Sequence, residues 1–177
     1  VEAWLKAHNN NDVRKALSYI DDDARYYMAN QPPMTGKEAI RRIEAWDASI
    51  KSNLKYTDMK EQGRTVLVGK IIESNNWFRL AGIEKIVYEP GTRIVVEDGK
   101  IVEFRMAPMT ENSMIQLDKM FRAFFEWINI HKPDKMQDLM VDGQVDFSEA
   151  NSELWFNLLD EWQRGKLTTQ PSSPQSD

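Results

Sequence analysis

The apolar residues of this chain change period twice, and no other feature limits its possible folds as much. Up to Ile50 they recur every three or four residues, from Leu54 to Met109 they follow strand patterns, and from Glu111 onward the helical spacing returns. The middle block reads "LKYTDMKEQG", "RTVLVGKIIES" and "IEKIVYEPGTRIVVEDGKIVEFRMAP", with Asp98-Gly99 as a hairpin turn between two β-rich runs. Helices, then a run of strands, then helices predict an α+β fold. The expected form is a curved antiparallel sheet wrapped with the N-terminal helices into a cone-shaped pocket, plus a C-terminal helical extension.

Residues 1–20 place Val1, Trp4, Leu5 and His8, then Val13, Ala16, Leu17 and Ile20, at helical spacing on either side of "NNND". Two short helices are expected, the second capped by Asn11 or Asp12. "DDDARYYM" reads as an Asp-rich surface turn running into a short strand, and "QPPMTG" as a turn. "KEAIRRIEAWDASIK" reads as a helix with Ala39, Ile40, Ile43, Trp46 and Ile50 on one face and a capping box from Thr35 and Glu38. "NNWFRLAGIE" interrupts the strands with a loop or single helical turn. Residues 111–131 carry a wide apolar stripe. A helix near "PDKMQDLM" follows, then one across "SEANSELWFNLLDEWQRG" with Ser148 as N-cap and Gly165 as C′ residue. The expected organisation is a cone domain over 1–109, a helical extension over 110–166 that packs on it, and a disordered tail over 167–177.

Composition excludes several function classes. At 177 residues the chain can remove roughly 70% of its unfolded surface from water, enough for a substantial core. A net charge of −5 and no basic stripe beyond pairs such as Arg41-Arg42 predict no nucleic-acid partner. No apolar run approaches the roughly 20 residues of a bilayer-spanning helix, so no membrane association is expected. The absence of cysteine removes disulfides, thiolate nucleophiles and the usual structural zinc sites. His8 and His131 form no recognisable metal or triad pattern, and each is expected to be exposed or helix-terminal. Asp21, Asp22 and Asp23 fail calcium-loop spacing, so no metal is expected. The serines lack a nucleophile-elbow setting and no glycine loop cradles a phosphate, so no cofactor is expected either. The first residue is Val1 rather than Met, which leaves a soluble cytoplasmic protein and an exported one with a trimmed N-terminus both open.

The order "NNNDVRKALSYIDDDARYYM…TGKEAIRRI…VVEDGKIVEFRM" resembles the nuclear transport factor 2-like superfamily, in its SnoaL-like and ketosteroid isomerase-like branch, over roughly residues 1–109. The resemblance implies a cystatin-like cone, a fold that hosts isomerases, cyclases, epoxide hydrolases, dehydratases and simple binders. It also implies departures. Met28 falls where the ketosteroid isomerases carry their carboxylate base, Trp4 and Thr92 fall at their oxyanion-hole positions, and Met106 falls where limonene epoxide hydrolase-like relatives carry an acid. The family's catalytic acids are therefore not retained at those positions.

Strand alternation extends the implied lining: Tyr26 accompanies Met28, Phe104 and Val102 accompany Met106, and Ile94 and Val96 accompany Thr92. The expected ligand-binding set is Trp4, Tyr26, Met28, Trp46, Trp77, Thr92, Phe104 and Met106, an aromatic and aliphatic wall for a small hydrophobic ligand. The Tyr26 and Thr92 hydroxyls and the Trp4 N–H are its candidate polar groups. Glu73 is the candidate catalytic base, carried inward by parity with Leu67 and Ile71, and Asp47 and Asp58 are the other acids near enough to enter. Three readings follow: a non-catalytic binder of a hydrophobic molecule, an isomerase, cyclase, dehydratase or hydrolase with relocated catalytic residues, or a protein-interaction module. The opposite strand faces carry Tyr27, Arg93, Val95, Glu97, Glu103 and Arg105, a mixture through which a homodimer is expected.

Overall fold

The computed structural model describes residues 1–28, 32–141 and 144–168. Helices α1 (Glu2–Asn9) and α2 (Val13–Ser18) open the chain. Asn11, with φ 56°, turns the backbone between them, and Asp12 caps α2 by accepting from the Lys15 N–H at 2.9 Å. Strand β1 (Ile20–Tyr27) follows directly. The Asp-rich segment is thus part of a strand rather than a turn: Ile20, Ala24 and Tyr26 are buried while Asp22 and Asp23 point to solvent, so the acids mark its outer side. After β2 (Met34–Thr35), helix α3 (Lys37–Ser49) starts from Gly36 at φ 87° with no side-chain cap. The expected Thr35–Glu38 capping box is absent because Thr35 is engaged in β2, paired with Arg25.

The strands then run as β3 (Asn53–Thr57), β4 (Lys60–Gln62), β5 (Thr65–Val68), β6 (Lys70–Ser74), β7 (Ile86–Tyr88), β8 (Thr92–Glu97) and β9 (Lys100–Arg105), with helix α4 (Asn76–Leu80) between β6 and β7. Six strands form one sheet in the order β2-β1-β9-β8-β5-β4, and β3-β6-β7 form a second. The main sheet is mixed, because β1 lies parallel to β9 while its other pairs are antiparallel. The chain steps from one sheet to the other at Gly69, between β5 and β6. A Cβ there would lie 2.7 Å from Asp58 Cβ, so only glycine lets the two corners cross. The hairpin turn is as expected, with Asp98 at φ 47° and Gly99 at φ 77°.

Two parity expectations fail at irregularities. The register of β8 against β9 shifts between Val95 and Val96, leaving Val102 as the extra residue, so Ile101 and Phe104 are buried and Val102 is not. Leu67 pairs with exposed Arg93 and lies on the outer face, whereas Ile71 is fully buried, because the Gly69 corner inverts the alternation.

Helix α5 (Glu111–His131) is capped by Thr110 and anchored to β7 twice: the Val87 N–H donates to Ser113 Oγ at 2.9 Å and the Thr110 N–H donates to the Val87 carbonyl at 2.9 Å. Helix α6 (Pro133–Asp138), the short strands β10 (Met140–Val141) and β11 (Gln144–Val145), a 3₁₀ turn (Glu149–Asn151) and helix α7 (Ser152–Thr168) complete the chain. Helix α7 runs through Gly165, whose Cα side lies against the Trp127 indole, so that glycine serves close packing rather than termination. The expected turn residue Gln31 and the tail from residue 169 lie outside the described residues. Phe121, Phe147 and Trp155 pack around Trp77 of α4, with ring centroids 5.5, 6.1 and 5.6 Å away, so the last helices share one apolar core with the strands.

Candidate functional site

Helix α3 presents Ile40, Glu44 and Asp47 on one line, four and seven residues apart, so a carboxylate pair rides on the face that Ile40 buries. Helix α1 meets it with Trp4 and His8, one turn apart and both buried. Asn9 fixes where α1 lands: its side chain donates to the Leu54 carbonyl at 2.9 Å and accepts the Leu54 N–H at 2.8 Å, imitating one more residue of sheet beside β3. The Trp4 indole N–H then donates to Glu44 Oε1 at 3.1 Å, and His8 Nδ1 lies 3.1 Å from Glu44 Oε2. With Glu44 Oε2 as the acceptor of this bond, Nδ1 is its donor, and Nε2 has no partner among the described residues. Burial acts to lower the His8 pKa, yet the hydrogen bond and charge of Glu44, with Asp47 and Glu73 beyond it, hold it above its ordinary value.

The smaller sheet supplies the opposite wall. Its register sets Tyr56, Ile71 and Tyr88 in one cross-strand row and Leu54, Glu73 and Ile86 in the next, all on one face. Glu73 is buried there among three donors: the Tyr88 hydroxyl at 2.8 Å, the Asn75 amide at 3.0 Å and the Ser52 hydroxyl at 3.4 Å. Asn75 also caps α4 by accepting the Phe78 N–H at 2.6 Å. Burial raises the Glu73 pKa, and these donors together with His8 only partly offset it. Asp47 is raised much further, by burial first and by the Glu73 charge second. Asp47 nonetheless keeps part of its surface accessible, as do Tyr56 and Trp46.

Within this wall His8 Nε2 and the hydroxyls of Tyr26 and Tyr56 are buried without a hydrogen-bond partner. Burial, then the charge of Glu44, keeps both hydroxyls protonated well above the ordinary tyrosine range. Leaving such atoms unpaired costs about 1–3 kcal/mol each, and all three can hydrogen-bond to a small polar group.

The residues expected to line the pocket separate into groups. Trp4, Tyr26 and Phe104 come together, with ring centroids 5.8 Å apart for Trp4–Phe104 and 5.0 Å for Tyr26–Phe104. Met28 and Met106 sit half-buried just past the ends of the parallel pair β1–β9. Trp46 touches Phe147, as does Trp77, which places both toward the C-terminal helices. Trp77 Nε1 is buried and unpartnered. Thr92 is fully buried and its hydroxyl accepts the Ala107 N–H at 3.0 Å, which leaves its own O–H as a donor, whereas the Trp4 N–H is taken by Glu44. His8 departs from its expected exposure because Glu44 solvates it inside the fold. His131 is exposed at the end of α5, and Asp58 is exposed at the sheet corner.

Sequence reasoning missed Glu44 and Asp47 as a pair. Their signal was the spacing from Ile40, which puts both on the buried face of α3. The resulting wall is acidic and aromatic rather than purely apolar, and it combines acids of raised pKa with hydroxyl donors, the equipment of proton transfer. Among the described residues no group of three or more metal-ligating side chains occurs, and no helix is long and apolar enough to cross a membrane.

A SnoaL-like domain family model matches residues 1–104. No curated protein matches the chain in sequence. Among solved structures, the epoxide hydrolase/cyclase-like enzyme SalBIII of pyran ring formation in the polyether salinomycin is similar, with a TM-score of 0.53 at 12% identity over 62% of this chain and 87% of that one. A protein with a ketosteroid isomerase-like fold from Catenulispora acidiphila DSM 44928, in complex with trimethylamine, gives 0.52 at 15% identity over 65% and 88%. An LEH-like epoxide hydrolase of M. tuberculosis gives 0.51 at 17% identity over 69% and 84%. At such identities the likeness is one of fold. With its mixed curved sheet closed by N-terminal helices, and with more than half its length matched by one family model, the chain belongs to the SnoaL-like domain family, on a nuclear transport factor 2-like fold.

Proposed function

We propose that this chain binds a small, largely apolar molecule bearing an oxygen function in the cone and acts on it by general acid–base catalysis, with the family's missing acids at Met28 and Met106 replaced by Asp47 and Glu73. The observation that carries this reading is the meeting of two pKa-raised carboxylic acids with three unpartnered polar atoms, His8 Nε2 and the Tyr26 and Tyr56 hydroxyls. Glu73, whose anion is stabilised by Tyr88, Asn75 and Ser52, is the proton acceptor. Asp47, held protonated by burial and by the Glu73 charge, is the donor. The two hydroxyls, joined by the Nε2–H of His8 in its protonated form, donate to the ligand oxygen where charge develops, and Glu44 acts through His8 as a positioning residue. The reaction class is thus isomerase, cyclase, dehydratase or hydrolase.

Incubation with lipophilic enones and epoxides in D₂O, followed by mass spectrometry, tests this reading. Deuterium incorporation or ring opening is expected in the parent protein and about 10²-fold less in Glu73→Gln and Asp47→Asn. Undiminished turnover in both variants would refute the assignment. The ring cluster of Trp4, Tyr26, Tyr56 and Phe104 favours a second reading, non-catalytic binding, which predicts a lipophilic molecule retained in native mass spectra with no turnover.

A further inference from the structure

Helix α5 buries Met120, Phe124 and Ile128 against the rest of the protein and turns its opposite face outward. On that outer face Ile115 is 58% exposed and Ile130 67%, two of the five large hydrophobic side chains exposed among the described residues. At 3.6 residues per turn, Ile115, Lys119, Glu126 and Ile130 fall within about 60° of arc, along about 22 Å of helix. Lys119 and Glu126 are both exposed, and neither has an ion-pair partner among the described residues, whereas nearby Arg122 is paired with Asp118 at 2.8 Å.

The order along this face is a palindrome. About a centre between Arg122 and Ala123, Ile115 mirrors Ile130, Gln116 mirrors Asn129 and Lys119 mirrors Glu126. A two-fold axis through that centre, with a second α5 laid antiparallel, would set each isoleucine on its mirror partner. It would also set each lysine on a glutamate, twice over. Ala123, beside the crossing point, has only a methyl group to hold the helices apart. A parallel arrangement would instead oppose Lys119 to Lys119 and Glu126 to Glu126.

We propose that this face of α5 docks a second copy of the same chain, antiparallel, through paired isoleucines and two Lys119–Glu126 ion pairs across the axis. Two isolated helices present less area than the roughly 1,200–2,000 Å² of a stable interface, so the association is of micromolar strength and weakens with salt. It uses an element distinct from the outer face of the main sheet.

Sedimentation velocity on the full chain, with circular dichroism confirming each fold, tests it. The parent protein is expected to self-associate at micromolar concentration. Lys119→Glu and Glu126→Lys each place two like-charge pairs across the axis and should each weaken association more than tenfold. An equimolar mixture of the two single variants restores both opposite-charge contacts, as does the double variant, so both should associate like the parent. A monomeric parent, single variants that associate as the parent does, or a mixture no better than its components would each overturn the proposal. The second of these results would assign any dimer to another face.

Discussion

Replacing Asp47 by asparagine should make the protein less sensitive to rising pH, at the expense of the proposed chemistry. Asp47 holds its proton in the folded state far above the ordinary carboxylate value near 4, because burial and the Glu73 charge both oppose its ionisation. The sign follows directly. Above the unfolded pKa the unfolded chain has lost this proton and the folded chain retains it, so stability is full below that pH and is lost as pH rises toward the folded pKa. While Asp47 keeps its proton in the fold, one proton of difference is worth about 1.4 kcal/mol per pH unit, so its contribution falls steadily as pH rises from the unfolded pKa toward the folded one. For a chain of this length each such unit is about 3–6 °C in Tm. Glu73 contributes in the same direction, and His8, also raised, adds to the loss from about pH 6.5 upward. Urea denaturation at half-unit steps from pH 5 to 7 should show a steep fall for the parent. Asp47→Asn should be flatter by about 1.4 kcal/mol per unit, its curve crossing the parent's so that the variant is the more stable at the upper end. Parallel curves for the two proteins would show that Asp47 does not hold this proton, and would remove the donor from the proposed mechanism.

Other expected outcomes concern single contacts. Tyr88→Phe strips Glu73 of its shortest donor and should cost about 1–3 kcal/mol at neutral pH by urea denaturation, and a loss below about 0.5 kcal/mol would show that the hydroxyl is not anchoring the carboxylate. Gly69→Ala pushes a methyl group to within 2.7 Å of Asp58 Cβ and should lower stability by about 1–3 kcal/mol, whereas an unchanged melting temperature would mean that the sheet corner yields freely. A homodimer through the outer face of the main sheet, where Val95 is half-buried beside Glu103, predicts that Val95→Arg reduces the sedimenting mass, and a mass unaltered by this change would leave that face exposed.

Local chemistry made much of this fold legible. Asp12 and Asp98-Gly99 act through neighbours three residues away or fewer, and the structure uses them as read. What was not legible depends on distant partners. The parallel pairing of β1 with β9 joins segments more than seventy residues apart and turns what read as an antiparallel sheet into a mixed one. Parity arguments work only until an irregularity, and Val102 and Gly69 each invert the alternation downstream. Glu73 therefore faces inward with Ile71, Tyr56 and Tyr88, not through Leu67. Glu44 was passed over, and Asp47 ranked behind Glu73, because charged residues on a helix ordinarily face water. Here a tryptophan and a histidine, 40 and 36 positions earlier in the chain, solvate Glu44 instead.

The pair of hydrogen bonds between Asn9 and Leu54 also bears on how often the site exists at all. Helix α1 has eight residues, well short of the roughly 12–15 at which a helix holds itself together in water. It persists because Asn9 moors one end and Trp4 is wedged among rings, so it detaches as a unit or not at all. Each detachment withdraws Trp4 and His8 from Glu44 in one event and leaves that carboxylate facing water. The occupancy of the proposed site would then follow the local opening equilibrium of this one short helix, a quantity that the exchange rates of the Leu5 and His8 amides report independently of global unfolding.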